Sequence, residues 1–326
     1  MSRISVVIPT HNGSATLAVC LRALRASSYS PAEIIVVDDA STDGSAEIAA
    51  QAGCRVLRLE RNVGAARAKN HGARQATGDI LFFTDDDVIV APDALARLVE
   101  NYADARVAGV IGLLDQQIPF EDFASNFKNL WMRFSYAKVP RDGIGLFYTS
   151  IASLRREIFL QLGGFDENYS GASIAEDTEF GQRAWLAGHF IRLDDRVTAT
   201  HYKHYTLPEV LHTDYGRARA LVLMRLRKWG QRFYTSVPRF YQLAVPTLFA
   251  TIGCLALALL HPIFLFASGV MLVTFYVLFL PWLGFLAKQR GMEFALAAAL
   301  FQPIDVIAVG LGMLIAALEF ARGVRY

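Results

Sequence analysis

The stretch Ile-Leu-Phe-Phe-Thr-Asp-Asp-Asp at residues 80–87 decides the fold that the sequence predicts. Its apolar half is typical of a buried strand, which runs directly into three carboxylates. The same pattern stands upstream, where residues 33–38 predict a strand that ends on Asp38 and Asp39. Ligands of open α/β sheets bind at the carboxyl ends of the strands, so we expect all five acidic side chains in one crevice.

Strands and helices alternate through the first 113 residues. The predicted strands are 4–10, 33–38, 55–59, 80–84 and 107–113, and helices are predicted near 14–26, 65–76 and 92–103. Such alternation requires right-handed crossovers. We therefore predict an α/β fold with a mixed, mainly parallel sheet flanked by helices.

The composition excludes several classes of protein. The 326 residues include 53% apolar and 12% aromatic side chains, too many for a disordered or collagen-like chain. A formal charge of +2 gives no global basic field, so we expect no nucleic-acid partner. Cys20, Cys54 and Cys254 show no paired spacing, which excludes a disulfide framework and a CxxC site.

The last quarter of the chain predicts membrane spans. No Asp, Glu, Lys or Arg occurs between residues 241 and 287, a run that as helix would measure about 70 Å against a hydrocarbon core of about 30 Å. We therefore predict two spans, near 241–260 and 263–286. A third stretch, 294–320, is interrupted at residues 302–305 and predicts a kinked span, with a re-entrant or surface-lying segment as the alternative.

Charges beside the spans predict the orientation. Lys288 and Arg290 follow the second span, which places that loop in the cytoplasm. The chain does not begin with an apolar stretch of signal-peptide length. We expect a multi-pass protein of the inner membrane with its head in the cytosol. The basic segment 211–240 predicts an amphipathic helix on an anionic leaflet, or alternatively a solvated basic helix.

The acidic crevice suggests a metal and a diphosphate. There is no GxGxxG after the first strand and no P-loop, so neither usual nucleotide motif is present. Three adjacent carboxylates repel one another unless a hard divalent cation, Mg²⁺ or Mn²⁺, joins them. Arg67 and Lys69 would add positive charge for a diphosphate. An acidic turn without metal is the alternative.

Five motifs together resemble one family. They are SVVIPTHN at 5–12, VVDDASTDGS at 36–45, NVGAARAKN at 62–70, GD at 78–79 with TDDD at 84–87, and GGFDE at 163–167 followed by AEDTE at 175–179. In order and spacing they are similar to family 2 glycosyltransferases of the GT-A fold, over about residues 2–205. The resemblance implies a GT-A type, Rossmann-like sheet.

The resemblance implies residues for the donor site. The Pro-Thr stretch and Asp39, with Asp38 beside it, would meet the nucleotide base. In the DxD-like segment Asp87 would bind the metal, Asp85 would meet ribose or metal, and Asp86 would share either role. With the two cations above, the predicted nucleotide site comprises Pro9, Thr10, Asn12, Asp38, Asp39, Arg67, Lys69, Asp85 and Asp86.

The resemblance also implies an acceptor site. Glu176-Asp177 is similar to the family's acceptor motif, in which the Asp is the general base, so we assign Asp177 as base beside Glu176. An acidic helix cap is the alternative reading of this pair. His201 is expected to complete the metal site with Asp87 and Asp85, with His204 as the other candidate.

Together these features predict an enzyme that transfers one sugar, with inversion, from a nucleotide-diphosphate sugar to a lipid or lipid-linked acceptor. A UDP-sugar is favoured and a GDP-sugar is possible. The predicted domains are a catalytic domain at 1–210 (nucleotide half 1–113, acceptor half 114–210), the basic segment 211–240 and the membrane tail 241–326. The alternatives are a processive polysaccharide synthase subunit, disfavoured because a QxxRW motif is missing, and a catalytically silent membrane scaffold.

Overall fold

The computed structural model describes residues 3–169 and 175–326. The chain divides into two compact units. The first comprises Met1–Pro119, Val139–Lys203 and Arg232–Tyr234, and the second comprises Phe120–Lys138, His204–Gln231 and Thr235–Tyr326. The predicted domain division at residue 210 stays a prediction.

The element order alternates through the first unit, as the sequence predicts. The strands are β1 (Ile4–Thr10), β2 (Glu33–Asp38), β3 (Arg55–Arg58), β4 (Ile80–Phe83), β5 (Val88–Val90), β6 (Val107–Leu114), β7 (Ala152–Arg155) and β8 (Phe190–His201). The helices of this unit are α1 (Ser14–Arg25), α2 (Ser45–Gln51), α3 (Ala65–Gln75), α4 (Ala94–Glu100), α6 (Arg156–Gln161) and α7 (Glu176–Leu186). The helix α5 (Phe123–Tyr136) belongs to the second unit.

One eight-stranded sheet, in the order β3-β2-β1-β4-β7-β6-β8-β5, runs through the described part of the first unit. The pairs β1/β2, β1/β4, β2/β3 and β6/β8 are parallel. The pairs β4/β7, β5/β8 and β6/β7 are antiparallel. The predicted mixed, mainly parallel sheet is therefore confirmed. The strand order also places the carboxyl ends of β2, β1 and β4 side by side.

Helix α3 lies against the sheet at one glycine. A Cβ added to Gly72 would come within 2.6 Å of Val7 and 2.9 Å of Val37, so the helix could not keep this approach with a larger residue. The residues of β1, β2 and β4 are almost all buried. This packing fixes where α3 presents Lys69 and Asn70.

The second unit is helical. Besides α5 it contains α8 (Leu207–Arg227), α9 (Arg239–Leu257), α10 (Ile263–Arg290) and α11 (Met292–Ala321). The last three are long and apolar enough to span a membrane, with 19, 28 and 30 residues. The third is continuous through Pro303, so the predicted interruption does not break the helix.

Aromatic and polar contacts hold the second unit together. On α5, Phe127 and Trp131 pack edge-on against Trp282 of α10 at ring-centroid distances of 5.7 and 5.2 Å. Asp305, which the sequence places in an apolar helix, is 3% exposed and accepts a hydrogen bond from the Tyr241 hydroxyl at 2.9 Å. Buried polar groups require such partners.

Candidate active site

Three carboxylates follow β4, and each meets a different partner. The Thr10 hydroxyl donates to Oδ2 of Asp86 at 2.5 Å. The Ser150 hydroxyl donates to Oδ2 of Asp85 at 2.6 Å. Oδ1 of Asp87 lies 3.3 Å from Nε2 of His201. Each of the three carboxylates is thus held by its own hydroxyl or imidazole partner.

The electrostatics of this cluster differ from residue to residue. Burial, aided by the charges of Asp87 and Asp85, raises the pKa of Asp86 to about 7, although the Thr10 hydrogen bond opposes the shift. Burial also acts to raise the pKa of Asp87. For that group the hydrogen bond and charge of His201 and the charge of Lys203 prevail, so its pKa lies below the usual value. Of Asp86 and Asp87, it is therefore Asp87 whose surroundings hold the carboxylate ionised.

The turn after β1 approaches the acidic cluster closely. A Cβ added to Gly13 would lie 2.0 Å from Oδ2 of Asp86, so this position requires glycine. Asn12 adopts a left-handed conformation with φ of 58°. Its side-chain oxygen accepts from the backbone N–H of Thr42 at 2.9 Å, and its own N–H donates to the Ser41 hydroxyl at 3.0 Å. Asn12 thus ties together the turns after β1 and β2.

Asp38 and Asp39 are buried and accept hydrogen bonds from loop backbone. The N–H groups of Val63 and Gly64 donate to the two oxygens of Asp39, each at 2.8 Å. The N–H of Ser41 donates to Asp38 at 3.0 Å. These bonds order the loop that leads into α3.

Glu176 and Asp177 begin α7, and Glu176 is 3% exposed. Nζ of Lys69 donates to Oε1 of Glu176 at 3.0 Å and to the Thr149 hydroxyl at 2.6 Å. Oδ1 of Asp177, which is partly exposed, accepts from the N–H of Thr178 at 2.6 Å. Both acids thus lie in the first turn of α7, at the positive end of the helix dipole.

Lys69 connects the two acidic groups electrostatically. Burial acts to lower the pKa of Lys69, but the charges of Glu176, Asp85 and Asp177 outweigh it and raise that pKa. The Asp-Asp-Asp segment and the Glu-Asp pair thus act on one cation. Separate stretches of the sequence meet in one site.

Other predicted residues lie apart from this centre. Arg67 is about half exposed, and its Nε lies 3.6 Å from Glu167. The two cations predicted for the diphosphate, Arg67 and Lys69, therefore have different surroundings. Pro9 is half-buried in β1. His204 belongs to the second unit, where its Nε2 lies 3.4 Å from Asp122. Of the two candidate histidines, His201 is the one beside Asp87.

Three polar residues of the site escaped the sequence reasoning. Thr149 and Ser150 bind Lys69 and Asp85, respectively. Asn70 donates to the carbonyl of Phe165 at 2.9 Å and accepts from its N–H at 2.8 Å, which holds the Gly-Gly segment against α3. The only sequence signal for the first two is a polar pair just before a buried strand.

The side chains around Asp87 can supply some, but not all, of the ligands of a divalent cation. Within residues 3–169 and 175–326, no three His, Cys, Asp or Glu side chains converge as a complete metal site. Carboxylate oxygen and imidazole nitrogen are ligands that Mn²⁺ accepts. Further ligands would come from a diphosphate and water.

Relatives of known name match the chain. Residues 5–163 match the family model described as glycosyl transferase family 2. The O-antigen chain rhamnosyltransferase WbaN of Salmonella anatum is 26% identical over 220 residues, 63% of this chain and 68% of that protein. The undecaprenyl-phosphate 4-deoxy-4-formamido-L-arabinose transferase of Pectobacterium carotovorum is 34% identical over 152 residues, 44% and 46% of the two chains.

A solved structure shares the fold. The mannosyltransferase PcManGT from Pyrobaculum calidifontis, in complex with GDP-Man and Mn²⁺, superimposes with a TM-score of 0.58 at 21% identity. The match covers 96% of this chain and 87% of that one. The solved structure confirms the predicted fold, and the family model and the named relatives confirm the resemblance of the sequence motifs. Residues 5–163 match glycosyl transferase family 2, and with the glycosyltransferases among its relatives this match identifies the protein as a glycosyltransferase.

Proposed function

We propose that this enzyme transfers one sugar, with inversion, from a nucleotide-diphosphate sugar to a lipid or lipid-linked acceptor at the cytosolic face of the inner membrane. The donor is a UDP-sugar or, second, a GDP-sugar. The product enters a cell-envelope glycan or glycolipid. The names of the rhamnosyltransferase and undecaprenyl-phosphate transferase relatives support the acceptor class.

One observation carries the proposal. The ammonium of Lys69 is hydrogen-bonded to Glu176 and is acted on by the charges of both Asp85 and Asp177. The donor segment and the acceptor pair therefore belong to one site, as transfer between two substrates requires.

At the donor end, the nucleotide would lie over the ends of β1 and β2. We assign Pro9, Thr10, Asn12, Asp38 and Asp39 to the base and ribose. Asp85 and Asp86 would serve the ribose or the metal, and the exposed Arg67 would serve the diphosphate. Because Asp39 already accepts two backbone bonds, its remaining lone pairs are what a base N–H would use.

A divalent cation, Mg²⁺ or Mn²⁺, fits the Asp87 carboxylate and the His201 imidazole, with Asp85 as a third candidate ligand. When bound, it neutralises the charge of the leaving diphosphate. The solved mannosyltransferase, which holds Mn²⁺, supports this assignment.

At the acceptor end, Asp177 acts as the base. Its carboxylate takes the proton of the acceptor hydroxyl as the acceptor oxygen bonds to the anomeric carbon. The bond from that carbon to the diphosphate oxygen breaks on the opposite face, and the nucleoside diphosphate leaves. An acceptor phosphate, already ionised at neutral pH, would depend less on Asp177.

A processive polymerase is the second candidate, but the site does not favour it. The amide of Gln182 donates to the carbonyls of Gly145 and Tyr234, each at 2.7 Å, and its oxygen accepts from the N–H of Tyr234. The side chain of Gln182 therefore holds the backbone at Gly145 and Tyr234.

The testing experiment is a thermal-shift panel on the detergent-solubilised full chain. UDP, GDP, CDP and their common sugar conjugates are added with and without Mn²⁺ or Mg²⁺, because a ligand of the folded state raises its melting temperature. We expect a metal-dependent shift with one nucleotide family. Absence of any shift would overturn the donor assignment.

A further inference from the structure

The ion pair between Lys69 and Glu176 is buried more deeply than ordinary ion pairs. Both side chains are 4% exposed, and the two charges are 3.0 Å apart. Taking both charges out of water costs free energy. The attraction between them offsets this cost only when the other polar atoms of the pair also have hydrogen-bond partners.

Within the part of the chain that the structure describes, one atom of this pair lacks a hydrogen-bond partner. Oε1 of Glu176 accepts from Lys69, whereas Oε2 is buried and, within the described residues, has no hydrogen-bond partner. A carboxylate oxygen can only accept. The missing partner must therefore be a donor, and an anionic phosphate oxygen is excluded by charge.

The surroundings of Glu176 indicate what that donor is. Lys69 also bonds Thr149, whose neighbour Ser150 bonds Asp85 of the donor segment. Glu176 itself is adjacent in sequence to Asp177, the proposed base. It therefore stands between the diphosphate end and the reacting end, where the sugar of the donor would lie.

We infer that Lys69 is a positioning residue that holds Glu176 through Oε1, so that Oε2 accepts a hydrogen bond from a hydroxyl of the donor's sugar. This inference rests on the proposed function. It gives Lys69 a role in the sugar subsite in place of the nucleotide contact predicted from its charge. It also makes Glu176 a determinant of which sugar binds.

The variant Glu176→Gln tests the inference with little change of shape. Lys69 attracts the amide oxygen to the place of Oε1, which leaves the NH₂ group at the place of Oε2. A hydroxyl donor then meets another donor. We expect the Kd of the sugar conjugate that binds the wild type to rise about tenfold to a hundredfold. The Kd of the matching free UDP or GDP should change less than twofold.

Two lysine variants test the positioning role. Lys69→Met removes the cation and should reproduce the selective loss of sugar-conjugate binding, whereas Lys69→Arg keeps the charge and should recover most of it. The matched control is Arg74→Met, which removes an exposed cation of the same helix, paired with Glu167. It should bind both ligands like the wild type.

The outcomes separate the inference from the proposed function. If Glu176→Gln weakens free nucleotide and sugar conjugate equally, or affects only the KM of the acceptor, the sugar contact is wrong while the transferase function stands. If Glu176→Gln binds the conjugate normally, the inference also falls. If the wild type binds no nucleotide or conjugate, the proposed function fails and the inference with it.

Discussion

Lys69 in the first unit and Lys128 in the second are both nearly inaccessible to solvent, and each pairs with one carboxylate. The partners are Glu176 and Asp214. The surroundings differ, because Asp85 and Asp177 also act on Lys69, whereas Lys128 is acted on by Asp305 and is repelled by Arg217. The two lysines therefore show what a buried charge does in each unit.

The pKa values of the two lysines move in opposite directions. Burial lowers both, but for Lys69 the acids around it prevail and the pKa rises. For Lys128, burial and the repulsion of Arg217 outweigh the attraction of Asp214, and the pKa falls. Around Lys69 the acids outnumber the cation and can act on a ligand, whereas around Lys128 a second cation, Arg217, is present. We expect acids near Lys69 to affect ligands, and the charges near Lys128 to affect stability.

The largest expected effect is that of Asp177→Asn. Loss of the base should lower kcat about 10²- to 10⁴-fold while the Kd of the donor stays within about threefold. Steady-state kinetics and donor titration measure the two. The control is Asp195→Asn, which removes an exposed acid paired with Arg141 and should leave both constants unchanged. A kcat within tenfold of the wild type would remove Asp177 from the role of base.

The variant Lys128→Met tests the other side of the comparison. It leaves the carboxylate of Asp214, which is 12% exposed, without its lysine partner, and this should destabilise the protein by about 3 kcal/mol. The melting temperature in detergent should fall, whereas kcat of the folded fraction should not. The double variant Lys128→Met/Asp214→Leu should recover much of the stability. An unchanged melting temperature in the single variant would contradict a structural role.

The variant Asp87→Ala should abolish the cation-dependent part of donor binding. We expect the Kd of the nucleotide sugar in Mn²⁺ to rise about tenfold to a hundredfold, because a direct ligand matters at least as much as an outer-shell partner. Titration of the wild type in EDTA supplies the comparison. Equal binding by the wild type with Mn²⁺ and with EDTA would refute the metal site.

The smallest effect is expected for Asp194, an acid of the first unit away from Lys69. Burial acts to raise the pKa of Asp194, but hydrogen bonds from Arg196 and Asn101 prevail and lower it. A lowered pKa stabilises the fold above the unfolded value of about 3.9, and the benefit is lost as the pH falls through the folded value. Asp194→Asn should therefore cost about 1 kcal/mol at pH 7 and less below pH 4.

Melting temperatures of Asp194→Asn and the wild type at pH 7 and pH 3.5 measure this difference. Donor binding should be unchanged in the variant. A loss of donor affinity there would show that ligand effects are not confined to the acids around Lys69, and the contrast between the two lysines would fail.

Local patterns in the sequence predicted much of this molecule. The apolar runs ending in acids predicted β2 and β4 and the crevice beside them, because strand period and burial are local properties. The uncharged run after residue 241 likewise predicted the helices that can span a membrane. For these elements, composition within ten to twenty residues is sufficient.

Contacts between distant segments were not predictable. Nothing near Lys69 in the sequence shows that it meets Glu176, 107 positions away. The aromatic spacing within residues 115–145 favours core packing over a helix that covers the acceptor site or meets lipid, and the structure assigns residues 120–138 to the second unit. Periodicity shows that a face is apolar but not which surface covers it.

The packing of α5 has a consequence for the time at which this helix can be buried during synthesis. Its aromatic face, with Phe127, is covered by Trp282, which the ribosome adds 155 residues later. At 5 to 20 residues per second, that delay is roughly 8 to 30 s. During this time the aromatic face of α5 lacks the cover that Trp282 provides. Because transiently exposed apolar surface favours aggregation, we expect early delivery to the membrane or a chaperone to raise the yield of folded protein.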